Sequence, residues 1–348
     1  MPKRLSNTPK SRKRSTSSRE RISILFSCVG RRVELVEAFR RAAKKLNIRL
    51  SVHGSDISWL APAMHRVDHA HIVPPLDDAD YVETLLSIVR EQAIDMIIPL
   101  IDPELMQLSA SRELFNEVGC RAVVSSREVI ATCRDKLRAY RMLKSAGIDT
   151  PATWPGEAAL RKRRHLFPYF LKPREGSAGR ESYKIFDVEE LKVLSRRVPD
   201  PIVQEFVEGV EHTLDVYTGF DGIARCVVPR RRLEVRDGEV SKGMIVKDRR
   251  IMSVGRKVAR ALKQARGVIT VQCIVTPDRR IRVIEINPRF GGGAPLGIHA
   301  GADYPLWLIS EHLGRRPHIK PTAFKSNIAM LRFDDSVFCS VDKRLRYG

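Results

Sequence analysis

The sequence predicts an α/β unit with a parallel, doubly wound sheet, followed by a longer α+β region. Three observations carry this reading. Short apolar strands alternate with helix-period segments as far as about residue 130, the pattern of a parallel sheet wrapped by helices. Beyond Gly209 the strand-like runs lengthen and are separated by turns, which reads as antiparallel pairing. Finally, the run Val283-Ile284-Glu285-Ile286-Asn287-Pro288-Arg289-Phe290-Gly291-Gly292-Gly293 carries a strand directly into a glycine-rich turn.

In chain order, residues 22–26 form an apolar strand and Ser27-Cys28-Val29-Gly30 turns out of it. Val33, Val36, Phe39 and Ala43 follow at helical spacing. A strand over 50–53 ends at Gly54-Ser55-Asp56. Helix 81–92, strand 95–101, helix 104–118 and strand 122–124 complete the first unit. Thr132-Cys133-Arg134-Asp135 has the form of a capping box, opening a helix that runs to Ala146 and stops at Gly147. Strands 169–172, 182–186 and 202–207 with helix 188–197 make a second unit. Strands 212–218, 224–228, 232–235, 268–275 and 281–287 with helix 254–265 make a third, followed by helix 304–313 and strand 328–333. The expected division is a basic tail (1–21), a first domain (22–131), two α+β subdomains (132–208 and 209–320) and a C-terminal strand extension (321–348).

The chain has 348 residues and a net charge of +21, unevenly spread. Residues 1–21 hold eight Lys/Arg against one Glu, with Ser, Pro and Thr between them, so this tail cannot pack and is expected to be disordered. It lacks the apolar core of a secretion signal. An organelle transit peptide and a start codon assigned too far upstream both match its composition. Nucleic-acid binding is disfavoured, because no aromatic interleaves the basic residues. No apolar run approaches the ~18 residues of a membrane span, which predicts no membrane partner. Cys28, Cys120, Cys133, Cys226, Cys273 and Cys339 show no paired or metal-like spacing and read as reduced, buried thiols of a cytoplasmic protein.

Alternation puts Val283, Glu285 and Asn287 on one strand face, the acid and the amide about 7 Å apart, with Arg289 entering the turn. Hard oxygen ligands beside a guanidinium suit Mg²⁺ with phosphate. A carboxylate in an otherwise apolar strand needs a partner, and a metal supplies one. The run Lys172-Pro173-Arg174-Glu175-Gly176-Ser177-Ala178-Gly179-Arg180 sets a strand-end lysine beside a glycine-bearing loop. It is no Walker A loop, since the lysine precedes the glycines, yet a point charge beside backbone N–H groups suits nucleotide phosphates. In Gln204-Glu205-Phe206-Val207-Glu208-Gly209-Val210-Glu211 an apolar strand meets acids suited to ribose hydroxyls, and the backbone at 205–207 suits adenine. The first unit lacks GxGxxG: Gly30 stands alone before Arg31-Arg32, so the dinucleotide signal is weak. Asp56, Asp102 and Glu104 fall just past strand C-ends, where such sheets bind ligands, and helix capping accounts for them equally well.

In order the chain thus supplies Lys136, Lys172, the glycine loop, the Gln-Glu-Phe-Val strand, Glu211, Gln272, Glu285, Asn287 and Arg289. From residue 22 to about 320 this arrangement resembles the ATP-grasp superfamily, in particular one half of the carbamoyl-phosphate synthase large subunit and related stand-alone carboxylate-amine ligases. The resemblance implies a Rossmann-like pre-ATP-grasp domain followed by an ATP-grasp fold of two α+β subdomains, with ATP and Mg²⁺ (or Mn²⁺) as cofactors. It assigns Lys136, Lys172, Gly176, Ser177 and Gly179 to the ATP phosphates, Glu205, Phe206 and Val207 to adenine, and Glu211 to ribose. Gln272, Glu285 and Asn287 become metal ligands, and Arg289 joins Lys172 in stabilising the transferring phosphoryl group. Asp102, Arg231, Gly292 and His299 are candidates for the acceptor side, with Arg230-Arg231-Arg232 and Lys242-Gly243 as a basic flap or a solvated hairpin. The implied activity joins a small carboxylate to an amine through an acyl phosphate, with a homodimer as a possible assembly. Phosphorylation of bicarbonate or a carbamate, and ATP binding without catalysis, stand as alternatives. Only one grasp unit fits in the chain, which argues against carbamoyl phosphate synthesis by this chain alone.

Overall fold

The computed structural model describes residues 20–176, 179, 181–236 and 238–340. Its first unit runs β1 (Arg21–Ser27), α1 (Val33–Lys45), β2 (Arg49–Asp56), β3 (His69–Ile72), α2 (Tyr81–Gln92), β4 (Met96–Pro99), α3 (Leu105–Ala110), α4 (Arg112–Glu117) and β5 (Arg121–Ala122). The strands lie in the order β3-β2-β1-β4-β5, all parallel. Period two explains why β1 is apolar almost throughout. Ile22, Ile24 and Phe26 pack with Val36 and Phe39 of α1, while Leu25 joins Leu85 of α2 and Ile97 in a separate cluster on the other face. Strand order reverses around β1, so the turns leaving β1 and β4 open on a common crevice, the place where such sheets bind ligands.

Two helices differ from expectation. The segment 104–118 breaks at Ser111 into α3 and α4. The capping box expected at Thr132 is not used. Ser126 caps α5 (Arg127–Arg134), and Asp135 leaves helical geometry to cap α6 (Lys136–Ser145), accepting the N–H groups of Leu137 and Arg138 at 2.9 and 3.1 Å. Thr132 therefore lies inside α5. Asp135, three residues later and the better N-cap, starts the second helix.

A small antiparallel sheet follows, in the order β6-β9-β7-β8. It comprises β6 (Thr153–Pro155), α7 (Gly156–Leu160), β7 (Tyr169–Pro173), β8 (Tyr183–Ile185), α8 (Val188–Arg197) and β9 (Pro201–Glu205). The larger sheet contains β10 (Val210–Gly219), β11 (Cys226–Arg236), β12 (Glu239–Ile245), α9 (Arg249–Leu262), β13 (Gly267–Val275), β14 (Ile281–Asn287), α10 (Ala294–His299), α11 (Tyr304–His312) and β15 (Ala329–Leu331). Its six strands run β14-β13-β10-β11-β12-β15, all antiparallel. The segments 224–228 and 232–235 are one continuous strand, hairpinned to an unanticipated β12. The C-terminal strand adds to the edge of this sheet beside β12.

Among the described residues no helix is long and apolar enough to cross a membrane. Cys120, Cys133, Cys226 and Cys273 are buried, whereas Cys339 is exposed, contrary to the reading of all six as core thiols.

Candidate active site

The chemistry-bearing wall is the pair β13–β14. Thr270 stands opposite Asn287 and Gln272 opposite Glu285, but the next partner of Cys273 is Val283, so Ile284 is an extra residue, a bulge. This corrects the simple alternation. Val283 is fully buried and faces the core with Cys273, while Gln272, Glu285 and Asn287 share the opposite face and line the main cavity.

That cavity measures about 400 Å³ and lies where all three sheets meet. At one end Lys172 of β7 points in, 8% exposed. Burial pushes its ammonium down to about 8, an effect that nearby Glu285 opposes. Lys136, first residue of α6, donates to the carbonyls of Arg174 and Gly176 at 3.3 and 3.1 Å and is likewise lowered by desolvation. Gly176 and Gly179 line this end, both at positive φ (135° and 67°). Ser177 lies outside the described residues. Glu211 on β10 lines the same space, its pKa raised by burial although Arg232 holds it at 2.9 Å. Phe170 supplies an apolar patch.

At the other end Arg289 donates from Nε to Asp102 at 2.9 Å, with a second bond from Nη2 to the same oxygen. Asp102 leaves β4 at the crevice of the first sheet, so it holds the guanidinium in place rather than facing the cavity as a free acid. Gly292 belongs to the glycine turn lining a smaller recess beside Asn287 and Arg289.

Several expected residues sit elsewhere. Arg231 is exposed on the outer face of β11, because strand period two sends Arg230 and Arg232 inward instead. Arg230 is buried and fixed bidentately by Asp215 at 2.7 and 2.8 Å, so the segment is no free flap. His299, at the end of α10, is exposed and lines none of the cavities. The carboxylate of Glu205 is taken by Arg282 at 2.6 and 2.7 Å and its N–H by the Ala152 carbonyl, which leaves neither for adenine. Phe206 lies under Lys184, whose Nζ is 4.1 Å from its ring centre, and neither Phe206 nor Val207 lines the main cavity. Conversely, Arg232, expected only as part of the flap, lines it, and so do Arg32 and Glu239, which the sequence does not mark. The two-residue period of β11 would have chosen Arg232 over Arg231; nothing local marks Arg32 or Glu239.

Three oxygen-bearing side chains on one wall, only one of them a carboxylate, facing two lysines, form a donor set suited to Mg²⁺ completed by phosphate oxygens and not to zinc. A parallel crevice domain, a small antiparallel cover and a larger antiparallel sheet bearing the wall define the ATP-grasp architecture. Comparison with family profiles agrees: residues 133–293 match the ATP-grasp domain and residues 24–123 match the PylC-like N-terminal domain. Residues 133–293 thus form an ATP-grasp domain, with a PylC-like N-terminal domain ahead of it.

A putative D-alanine–D-lactate ligase of Streptomyces coelicolor is 33% identical over 92 residues, 26% of this chain and 27% of that protein. The match thus spans about a quarter of the relative's length. Among solved structures, the biotin carboxylase domain of Hydrogenobacter thermophilus 2-oxoglutarate carboxylase, described with MgADP, ADP and bicarbonate, superposes with a TM-score of 0.70 at 19% identity over 88% of this chain and 73% of its own. The L-amino acid ligase of Bacillus licheniformis superposes with a TM-score of 0.67 at 15% identity over 87% and 78%. At these identities the likeness is one of fold.

Proposed function

We propose that this chain is an ATP- and Mg²⁺-dependent ligase that joins a carboxylate to an amine through an acyl phosphate. The observation that carries the reading is the wall of Gln272, Glu285 and Asn287 facing Lys136 and Lys172 across one cavity, with Arg289 at its far end. Lys136, Lys172, Gly176 and Gly179 hold the phosphates, and Glu211 takes a ribose hydroxyl. Gln272, Glu285 and Asn287 hold Mg²⁺ (or Mn²⁺), which when bound screens the charge of the triphosphate.

A carboxylate oxygen of the acceptor attacks the γ-phosphorus, the bond to the β-phosphate oxygen breaks, and ADP leaves with the electron pair. Lys172 and Arg289 stabilise the charge on the transferring group, acting by position rather than by proton transfer. The amine nitrogen then adds to the acyl carbon, the carbon–oxygen bond to phosphate breaks, and the nitrogen loses a proton. A cytoplasmic location and a homodimer belong to the same proposal.

The test is thermal protection by ATP with Mg²⁺, followed by ADP release from pools of carboxylates and amines. Protection together with turnover that is lost in Glu285→Gln supports the ligase. ADP release driven by bicarbonate without amine points to carboxyphosphate formation, and a protein that MgATP fails to stabilise refutes the reading.

A further inference from the structure

Most guanidiniums around the cavity and the recess beside it have an acid of their own: Arg289 has Asp102, Arg232 has Glu211, and Arg230 has Asp215. One group departs from this balance. Glu239, at the start of β12, is the acid for three arginines at once. Arg32 Nη2 lies 2.6 Å from its carboxylate, Arg332 Nη1 3.1 Å and Arg31 Nη2 3.9 Å. These arginines come from the turn after β1 and from the segment after β15, about 300 positions apart in the chain. The Arg32 side chain is only 17% exposed, and burial lowers its pKa against the opposing pull of Glu239.

The group lies against the reaction centre. Arg32 and Glu239 line the cavity together with Asn287 and Arg289. A Cβ at Gly292 would meet Arg32 Nη1 at 2.5 Å and Glu239 Oε2 at 2.8 Å, so the pair is seated directly on the glycine turn. Arg332 also donates to the Gly292 carbonyl.

We propose that Arg31, Arg32 and Arg332 form an oxyanion subsite for the acceptor substrate, held by Glu239 until that substrate arrives. The inference rests on the ligase reading and narrows it. The acceptor carries an anionic oxygen group, carboxylate or phosphate, besides the carboxylate that is phosphorylated. The cations outnumber their single acid, and an entering oxyanion restores the balance by taking the arginines from Glu239. The excess charge also draws anions toward the crevice.

The experiment uses the full chain and two probes, malonate for a carboxylate and inorganic phosphate for a phosphoryl group, each titrated by thermal shift without nucleotide. Glu239→Gln removes the resident charge and keeps the shape, and Glu239→Ala serves if that variant fails to fold. At least one probe is expected to bind roughly tenfold tighter to the Glu239 variant than to the unmodified protein. That gain is expected to vanish when Arg32→Ala is added. The double variant keeps Lys136 and Lys172, so any uptake by the nucleotide end appears in it unchanged. The probe that gains assigns the source of the oxyanion. If neither gains, or the gain survives in the double variant, the proposal is overturned. MgATP protection, measured on the same proteins, separates the outcomes: its loss in the unmodified chain refutes the ligase reading, whereas its presence without an oxyanion gain refutes the subsite alone.

Discussion

The two ends of the cavity manage charge in opposite ways. At the lysine end, Lys136 and Lys172 form no ion pair among the described residues, and burial moves their proton affinities downward against the pull of Glu285. At the arginine end, Arg289 and Arg230 are held by Asp102 and Asp215 in bonds that fix both charge and orientation. A lysine is a point charge whose proton can leave when buried. An arginine holds its proton and its planar geometry. The first end therefore waits for a ligand to complete it, while the second is preorganised.

Breaking the preorganised end should cost most. Asp215→Ala leaves Arg230 buried and unpaired, with an expected loss of about 3–5 kcal/mol in urea unfolding. Glu285→Gln acts on function instead. Turnover should fall by about 10²–10³-fold in an ADP-release assay, as for the loss of one preorganised electrostatic contact, with the unfolding midpoint nearly unchanged. At the lysine end, Lys172→Met should weaken ATP binding by about 10–150-fold, the worth of a hydrogen bond to a charged group.

Its pH dependence sharpens the contrast. The folded-state pKa of Lys172, about 8, lies below the ordinary 10.5, so between these values the unfolded chain binds more protons. Without nucleotide, the native protein should therefore gain stability relative to Lys172→Met as pH rises through this window. ATP, by giving the ammonium a partner, should be bound with proton uptake, visible as a buffer-dependent calorimetric heat near pH 9. The smallest effect belongs to Arg231→Ala, expected within about 0.5 kcal/mol in stability and neutral in turnover, because that side chain faces solvent. A large loss there would mean that β11 presents its other face to the ligand.

The parallel unit was legible because β1 is apolar on both faces and α1 is amphipathic, signals that survive any tertiary context. The wall residues Glu285 and Asn287 were legible for the opposite reason, since polar groups in an apolar strand demand an explanation. The bulge at Ile284 was not, because alternation alone does not reveal an inserted residue, and an uninterrupted period puts Val283 on the wrong face. A run of three arginines does not by itself say which one faces the site; the two-residue period of β11 does, and it sends Arg231 outward. Arg32 and Glu239 meet only through the folded chain, 207 positions apart by their numbers, and no local pattern encodes that. Thr132 lost its capping role to Asp135 because the two candidates compete and only packing chooses between them.

The Glu205–Arg282 pair has a mechanical side. Arg282 lies on β14, the strand that also carries Glu285 and Asn287, and it grips the end of β9 in the small sheet while reaching Asp149 at 3.4 Å. The cover over the lysine end is thus tied to the wall strand through Arg282, and again at Arg174, whose Nε donates to Asp135 at 2.9 Å, so one of these two fasteners shares a single backbone with the oxygen wall.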